Sequence, residues 1–263
     1  MNNPLVSIGL PIFNDASYLK ETIDSILNQT YKNIEVIIVD DGSTDNSLEL
    51  IASFKDSRTK VLNDGRNFGL AVRLNQIAKM AEGHFLARMD ADDIMHPTRI
   101  EKQVEILQEN TSIDVLGSNV YTIDETGELT GVRYAYSQNE KEINDCVGFI
   151  HPTIMATRKW FLQNPYDEHA KRAQDAVLWR KTSQNSTFKY TTEPLLYYRE
   201  MSSGYYKKYF KALPTFWKQF KKSKDLYWVK KYIKSFILGF LYFIFSIFKV
   251  EKMLLRTRNQ VKF

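Results

Sequence analysis

The chain has 263 residues, 43% hydrophobic and 25% charged, enough apolar content for one sizeable core and too much for a disordered chain. Its single cysteine, Cys146, excludes a disulfide framework within the chain and fits a reducing, cytosolic compartment; no basic region followed by an apolar cleavable run opens the sequence, so no secretory signal is expected. The net charge of +5 is unevenly shared, with 15 Lys and Arg against Asp225 and Glu251 in residues 205–263 and 21 against 29 acids in residues 1–204, so an acidic body that would repel phosphate backbones argues against a nucleic-acid partner.

In chain order, "LVSIGLPIF" (5–13) is an apolar, β-branched run that stops at "NDAS", and "YLKETIDSILNQ" repeats Leu19, Ile23, Ile26 and Leu27 at helical spacing. That predicts strand then helix. "IEVIIVD" (34–40) is almost wholly apolar, as expected of a strand covered on both faces, and "DGSTDNSLELIASF" supplies a turn, a cap and a helix. "TKVLND" and "HFLARMD" predict two more strands around a helix over 70–81, and "HPTRIEKQVEILQEN" a further helix with Pro97 in its first turn. The alternation predicts an α/β fold: a mostly parallel open sheet with helices on both faces, its ligands gathering at the carboxyl ends of the strands. Beyond residue 110, strand alternation around "DETGE" predicts a hairpin; "FIHPTIMATRKWF" and "AQDAVLWRKTS" predict a strand and two short helices.

Three polar clusters fall at predicted strand ends: "FND" (13–15), "DDGSTD" (40–45) and "DADD" (90–93). Asp90 and Asp92 have the spacing to reach a hard divalent cation, Mn²⁺ or Mg²⁺, which takes oxygen ligands and completes its shell with phosphate. An Asp at this point also suits the N-terminus of the following helix. Three acids with Asp93, however, raise one another's pKa unless a cation relieves them. Asp41 is placed to accept from a uracil N3–H or a ribose hydroxyl, beside a Gly42 that allows close backbone approach, although the segment also reads as an Asp/Gly turn. Arg66 or Arg73, around "GRNFG", are candidates to meet phosphate or base. No P-loop and no G-x-G-x-x-G is present.

The segments "VSIGLPIFND", "LNQTYKNIEVIIVDDGSTD", "ARMDADDIMHPTRIEKQ" and "AQDAVLW", in that order over about residues 5–200, resemble the family 2 inverting glycosyltransferases of GT-A fold. "ARMDADD", "HPTIM" and "LLYYRE" are similar to bacterial transferases that build O-antigen or capsule repeat units on a lipid carrier. The resemblance implies a uridine pocket at Pro11, Phe13, Asn14 and Asp41, a ribose contact at Asp90, a metal ligand at Asp92 and a general base at Asp175. Many relatives have Glu-Asp where this chain has Gln174-Asp175, which leaves Asp167 and Glu168 as rivals. His151 of "HPTIM" is a candidate acceptor contact or a structural residue; His84, His96 and His169 need no special role. The expected division is a transferase domain over 1–204, with a nucleotide-sugar half to about 110 and an acceptor half from 111, followed by a tail over 205–263.

Within the tail, "SFILGFLYFIFSIF" (235–248) carries no charge, and Lys231, Lys234, Lys249 and Lys252 flank it. It falls short of the roughly 20 apolar residues of a spanning helix, so an interfacial segment on the anionic inner leaflet is expected, with a core helix as the plainer alternative. The implied reaction is hexose transfer from a UDP-sugar, galactose first and glucose second, to a lipid-diphosphate-linked N-acetylglucosamine. A nucleotidyltransferase and a non-catalytic nucleotide-sugar-binding protein are the alternatives.

Overall fold

The computed structural model describes residues 3–134, 149–201, 204–259 and 261–262; Cys146 lies outside them. The apolar run at the start forms β1 (Val6–Ile12), and α1 (Ala16–Leu27), β2 (Ile34–Asp40), α2 (Ser47–Ser53), β3 (Thr59–Asn63), α3 (Leu70–Met80) and β4 (Phe85–Arg88) follow as the alternation predicts. Strands β4, β1, β2 and β3 lie side by side in that order and are parallel. Every residue of β1 and β2 is buried, because each face is covered. Ile8, Leu10, Val36 and Ile38 meet Leu19 and Ile23 of α1, while the intervening Ile37 and Val39 meet Leu74 and Ile77 of α3. Each such fully buried side chain contributes about 1.5–3 kcal/mol, and the two-residue strand period sends alternate residues to opposite layers.

A two-residue β5 (Ile94–Met95) and α4 (Arg99–Glu109) lead to the predicted hairpin, β6 (Val115–Ile123) and β7 (Leu129–Arg133). The later elements are β8 (Met155–Thr157), α5 (Arg158–Gln163), α6 (Gln174–Thr182) and a twelve-residue β9 (Phe188–Arg199). In this half the sheet turns mixed: β8 is antiparallel to both β4 and β6, β6 to β7, and β9 runs parallel to β6 while pairing antiparallel with β5. Strand β9 has no counterpart in the sequence reading.

The tail is helical but not detached. α7 (Tyr205–Ser223) and α8 (Leu226–Ile247) pack as an antiparallel pair, with α9 (Glu251–Arg256) and β10 (Val261–Lys262) returning to the sheet edge beside β7. Asp225 caps α8 by accepting from Tyr227 N at 2.9 Å. Trp228, Ser235, Gly239 and Tyr242 of α8 are buried. The other side of α8 is uncovered: Leu226, Ile233, Phe236, Ile237, Phe240 and Ile247 are each more than half exposed. Apart from its three lysines α8 carries apolar residues on both sides, and one of those sides has no partner among the described residues. No helix among the described residues is long and apolar enough to cross a membrane.

Candidate active site

Order β4-β1-β2 makes β1 the strand on whose two sides the chain winds in opposite directions, and open α/β sheets bind ligands outside the carboxyl ends of such strands. A cleft of about 960 Å³ lies there, at the upper end of ligand pockets.

Its floor begins with loops that knit to one another. Asn14, at φ +59, presents Oδ1 to Thr44 N at 2.8 Å, while its own N–H donates to Ser43 Oγ at 3.0 Å. The Asp40 carboxylate accepts from Gly42 N and Ser43 N. Gly42 has φ +77, and a Cβ there would stand 2.9 Å from the Arg66 carbonyl carbon, so only glycine lets the loops meet. Asp41 accepts from Phe68 N at 2.7 Å, Gly69 N at 2.9 Å and Arg73 Nε at 2.9 Å. Fully buried Arg73 also grips both Asp64 oxygens, Gln76 and the Arg66 carbonyl. Arg73 therefore works as a clamp beneath Asp41. Arg66 is exposed and does not line the cleft, nor does Asn14, whose side chain is occupied in holding the loop. Pro11, Phe13 and Asp41 do line it.

Asp90, Asp92 and Asp93 follow β4, and ligand oxygens of the three come within 4.8 Å of one another. Asp90 Oδ1 accepts from Arg88 Nη2 at 2.5 Å. Burial, reinforced by the charges of Asp90 and Asp15, pushes the Asp92 carboxyl up to about 6. Asp15 is likewise pushed up to about 6, by burial above all, against the lowering effect of the Phe13 N–H and with Asp90 and Asp45 adding. Asp93 turns inward, where it is fully buried, accepts from Arg199 N at 2.8 Å and is driven well up by burial and its two neighbours. Carboxylates held this close in poor solvent are an all-oxygen set suited to a hard divalent cation, so the residues fit the Mn²⁺ or Mg²⁺ expected from the sequence.

Arg199, at the end of β9, braces this loop. Its Nε donates to the Asp92 carbonyl at 2.8 Å, Nη1 to the Asp124 carbonyl at 3.0 Å and Nη2 to Glu21 Oε2 at 2.7 Å. Thr22 Oγ1 donates to the carbonyls of Ala91 and Asp93. Neither residue was singled out from sequence, where the only signal for Arg199 was its place in "LLYYRE".

Asp175 sits in the first turn of α6, after Ala173 at φ +56, and lines the same cleft. Glu168 instead accepts from Asn75 Nδ2 at 3.0 Å and Asp167 from Gln219 Nε2 at 2.9 Å; neither rival lines the cleft. Buried His151 lines it too, with Nε2 2.7 Å from the Tyr166 hydroxyl. Burial and the nearby Arg88 guanidinium hold His151 well below its ordinary range, so it is neutral. Arg88 is itself buried in the lining, and its Nε and Nη1 have no hydrogen-bond partner among the described residues. The tail contributes as well: Lys208 of α7 and Arg258 after α9 line the cleft with Arg133 of β7.

Residues 7–170 match the model of the family described as "Glycosyl transferase family 2". The chain is 36% identical over 208 residues to an uncharacterized glycosyltransferase of Methanocaldococcus jannaschii, covering 76% of this chain and 72% of the relative. It is 32% identical over 218 residues to glycosyltransferase GlyG of Streptococcus pneumoniae serotype 4, with 76% and 72% covered. Among solved structures, S. aureus TarS 1–349 in complex with UDP-GlcNAc has a TM-score of 0.63 at 22% identity, over 78% of this chain; the chain spans 64% of that protein. The mannosyltransferase PcManGT of Pyrobaculum calidifontis, in complex with GDP-Man and Mn²⁺, has a TM-score of 0.63 at 17% identity, over 89% and 69% of the two chains. These two likenesses concern the fold.

Proposed function

The chain belongs to glycosyl transferase family 2, and from that premise we propose a metal-dependent inverting hexosyltransferase acting on a UDP-sugar, with UDP-galactose the first donor and UDP-glucose the second. The acceptor is a lipid-diphosphate-linked N-acetylglucosamine, joined β-1,3, in the synthesis of O-antigen or another bacterial surface polysaccharide. The observation that carries the reading is the meeting of Asp90, Asp92 and Asp175 in one cleft, although α6 lies far along the chain from β4. One cation-binding pair and one separate carboxylate are the set an inverting displacement needs.

In that displacement Asp175 takes the proton of the acceptor hydroxyl while its oxygen bonds to the anomeric carbon, and the bond from that carbon to the diphosphate oxygen breaks on the opposite face. A glycoside, UDP and a protonated carboxyl result. A cation held by Asp92 and Asp90 would stabilise negative charge on the departing diphosphate. Pro11, Phe13 and Asp41 would border the uridine, with Arg73 keeping the Asp41 carboxylate in place. His151, neutral and bonded to Tyr166, would shape the acceptor side without carrying charge. The bound UDP-GlcNAc of TarS and the Mn²⁺ of the mannosyltransferase support the donor and metal classes.

Residues 205–263 hold the enzyme on the cytoplasmic face of the inner membrane as a peripheral unit. The support is the uncovered stripe from Leu226 to Ile247 in a segment rich in lysine, an apolar-plus-basic combination suited to an anionic interface.

The test is product formation on a synthetic N-acetylglucosaminyl-diphosphate-lipid, with UDP-galactose and UDP-glucose compared, in Mn²⁺ and in chelator. Transfer from one donor, abolished by chelator and lowered about 10²- to 10⁴-fold by Asp175→Asn with UDP binding intact, is expected. Release of pyrophosphate from a sugar phosphate and a nucleoside triphosphate would move the chain to the nucleotidyltransferases.

A further inference from the structure

The cleft lining is unevenly charged. Asp15, Asp41, Asp90 and Asp92 come from the ends of β1, β2 and β4 and lie with Arg73 and Arg88, whereas Arg133, Arg172, Lys208 and Arg258 come from β7, the approach to α6, α7 and the chain after α9, where Asp175 is the one acid of the lining. Four cations in one lining repel one another unless anions answer them. Glu200 is the one carboxylate that pairs with any of them among the described residues: it lies 2.6 Å from Arg133 Nη2 and 3.5 Å from Arg258 Nη1. Lys208 and Arg172 have no ion-pair partner among the described residues; Lys208 packs over the Tyr205 ring at 4.5 Å and is exposed to the cleft.

A second observation points the same way. Arg133 is only 9% exposed, and Nη2 is satisfied by Glu200 and by Asn259 Oδ1, but its buried Nε has no acceptor among the described residues. A buried guanidinium N–H without a partner is costly, and a bound anion oxygen is the chemistry that answers it.

We propose that Arg133, Lys208 and Arg258, with Arg172 at the rim, form a second diphosphate subsite, for the diphosphate ester of the acceptor and separate from the place of the donor's own diphosphate at Asp90 and Asp92. Four cations less Glu200 and Asp175 leave an excess of two positive charges, which matches a dianionic diphosphate diester and is more than an uncharged sugar needs. Lys208 also lies within electrostatic reach of Asp92 and Asp90, so the two diphosphates would be neighbours. A lipid source fits because α7, which carries Lys208, is packed on α8, whose outer side is the uncovered apolar stripe. The inference rests on the lipid-diphosphate acceptor proposed above, and its test is a binding measurement that involves no sugar transfer.

Geranyl diphosphate is titrated calorimetrically into the full chain, in EDTA without UDP and in Mn²⁺ with saturating UDP. Binding should survive UDP and weaken at least tenfold in Lys208→Ala and in Arg258→Ala, while UDP affinity measured with Mn²⁺ stays within twofold of the parent. Lys208→Glu, at an exposed position with no ion pair among the described residues to lose, serves as the second variant should Arg258→Ala disturb the Glu200 pairing. Displacement by UDP, unchanged affinity in Lys208→Glu, absence of binding to the parent chain, or a selective loss of UDP affinity would each overturn the subsite. A chain that binds geranyl diphosphate as expected but transfers no sugar would leave the subsite standing and overturn the transferase chemistry assigned to it.

Discussion

The two halves of the cleft are built by different means. On the side proposed for the donor, parallel strands β1, β2 and β4 end together, and each delivers its acids within a few residues of its last hydrogen bond. On the side proposed for the acceptor, the cations arrive from β7, α7 and the chain's far end, and their places depend on pairings such as Arg133–Glu200 and Asn259–Thr122, 67 and 137 positions apart in sequence. A site made by strand ends follows from local pattern. A site made by chain return follows only from tertiary packing.

Arg199 joins the two halves, and removing it should have the largest effect on the fold. Its side chain is 1% exposed and crosses from β9 to the Asp92 carbonyl, the Asp124 carbonyl and Glu21. Arg199→Met keeps much of the volume but leaves those acceptors unanswered, at a cost of about 3 kcal/mol. Denaturant unfolding should record that loss, and Mn²⁺-dependent UDP affinity should fall at least tenfold as the DADD loop slackens. Full stability together with unchanged UDP affinity would mean that the donor half holds its own geometry and that the two sides are less coupled than the bonds suggest.

A smaller perturbation separates them. Gly131 of β7 faces β10 so closely that a Cβ would stand 2.2 Å from the Val261 carbonyl oxygen and 2.9 Å from Asn259 Nδ2. Gly131→Ala should push β10 off the sheet edge at a cost of about 1–3 kcal/mol. Amide exchange at Val132 and Val261 should quicken, while UDP binding stays as it was. Equal quickening throughout β1 and β2 would show instead that the returning chain is part of the main cooperative core.

The sequence carried the donor half well for the reason just given. Apolar runs bounded by Asp and Gly mark β1, β2 and β4, and the acids beyond them are the acids that meet. Asn14 and Arg66 show where type and spacing stop informing: both stand in the right loops, but one bonds Thr44 and the other points to solvent. Strand β9 escaped detection because Pro194 interrupts it, its first half is half-exposed and polar, and its register against β6 shifts twice near Asn119. β5 and β10, two residues each, are too short for any periodicity. The tail's basic composition suggested a surface appendage, whereas Lys208 and Arg258 reach the cleft through folding that no local pattern encodes.

The acidic side can also be sharpened by pH, with the smallest expected effect. Asp92 and Asp15 titrate near 6 in the folded chain, above the roughly 3.9 of an unfolded aspartate. Between those values the native state binds more protons than the unfolded state, so these two groups make stability fall as pH rises from about 4 to 6, and the penalty is complete above 6. A cation needs the ionised carboxylates and relieves their repulsion. The rise in melting temperature produced by Mn²⁺ should therefore be slight at pH 5, grow through pH 6 and level off by pH 7.5. His151, neutral in the folded chain because it is held well below its usual range, acts in the opposite sense, making stability rise with pH up to the roughly 6.5 of an unfolded histidine, with or without the metal. Asp92→Asn should abolish both the stabilisation and its pH dependence. A Mn²⁺ effect of constant size from pH 5 to 7.5 would place the ion away from Asp92, and the charge division of the cleft would then have to be explained without a metal on its acidic side.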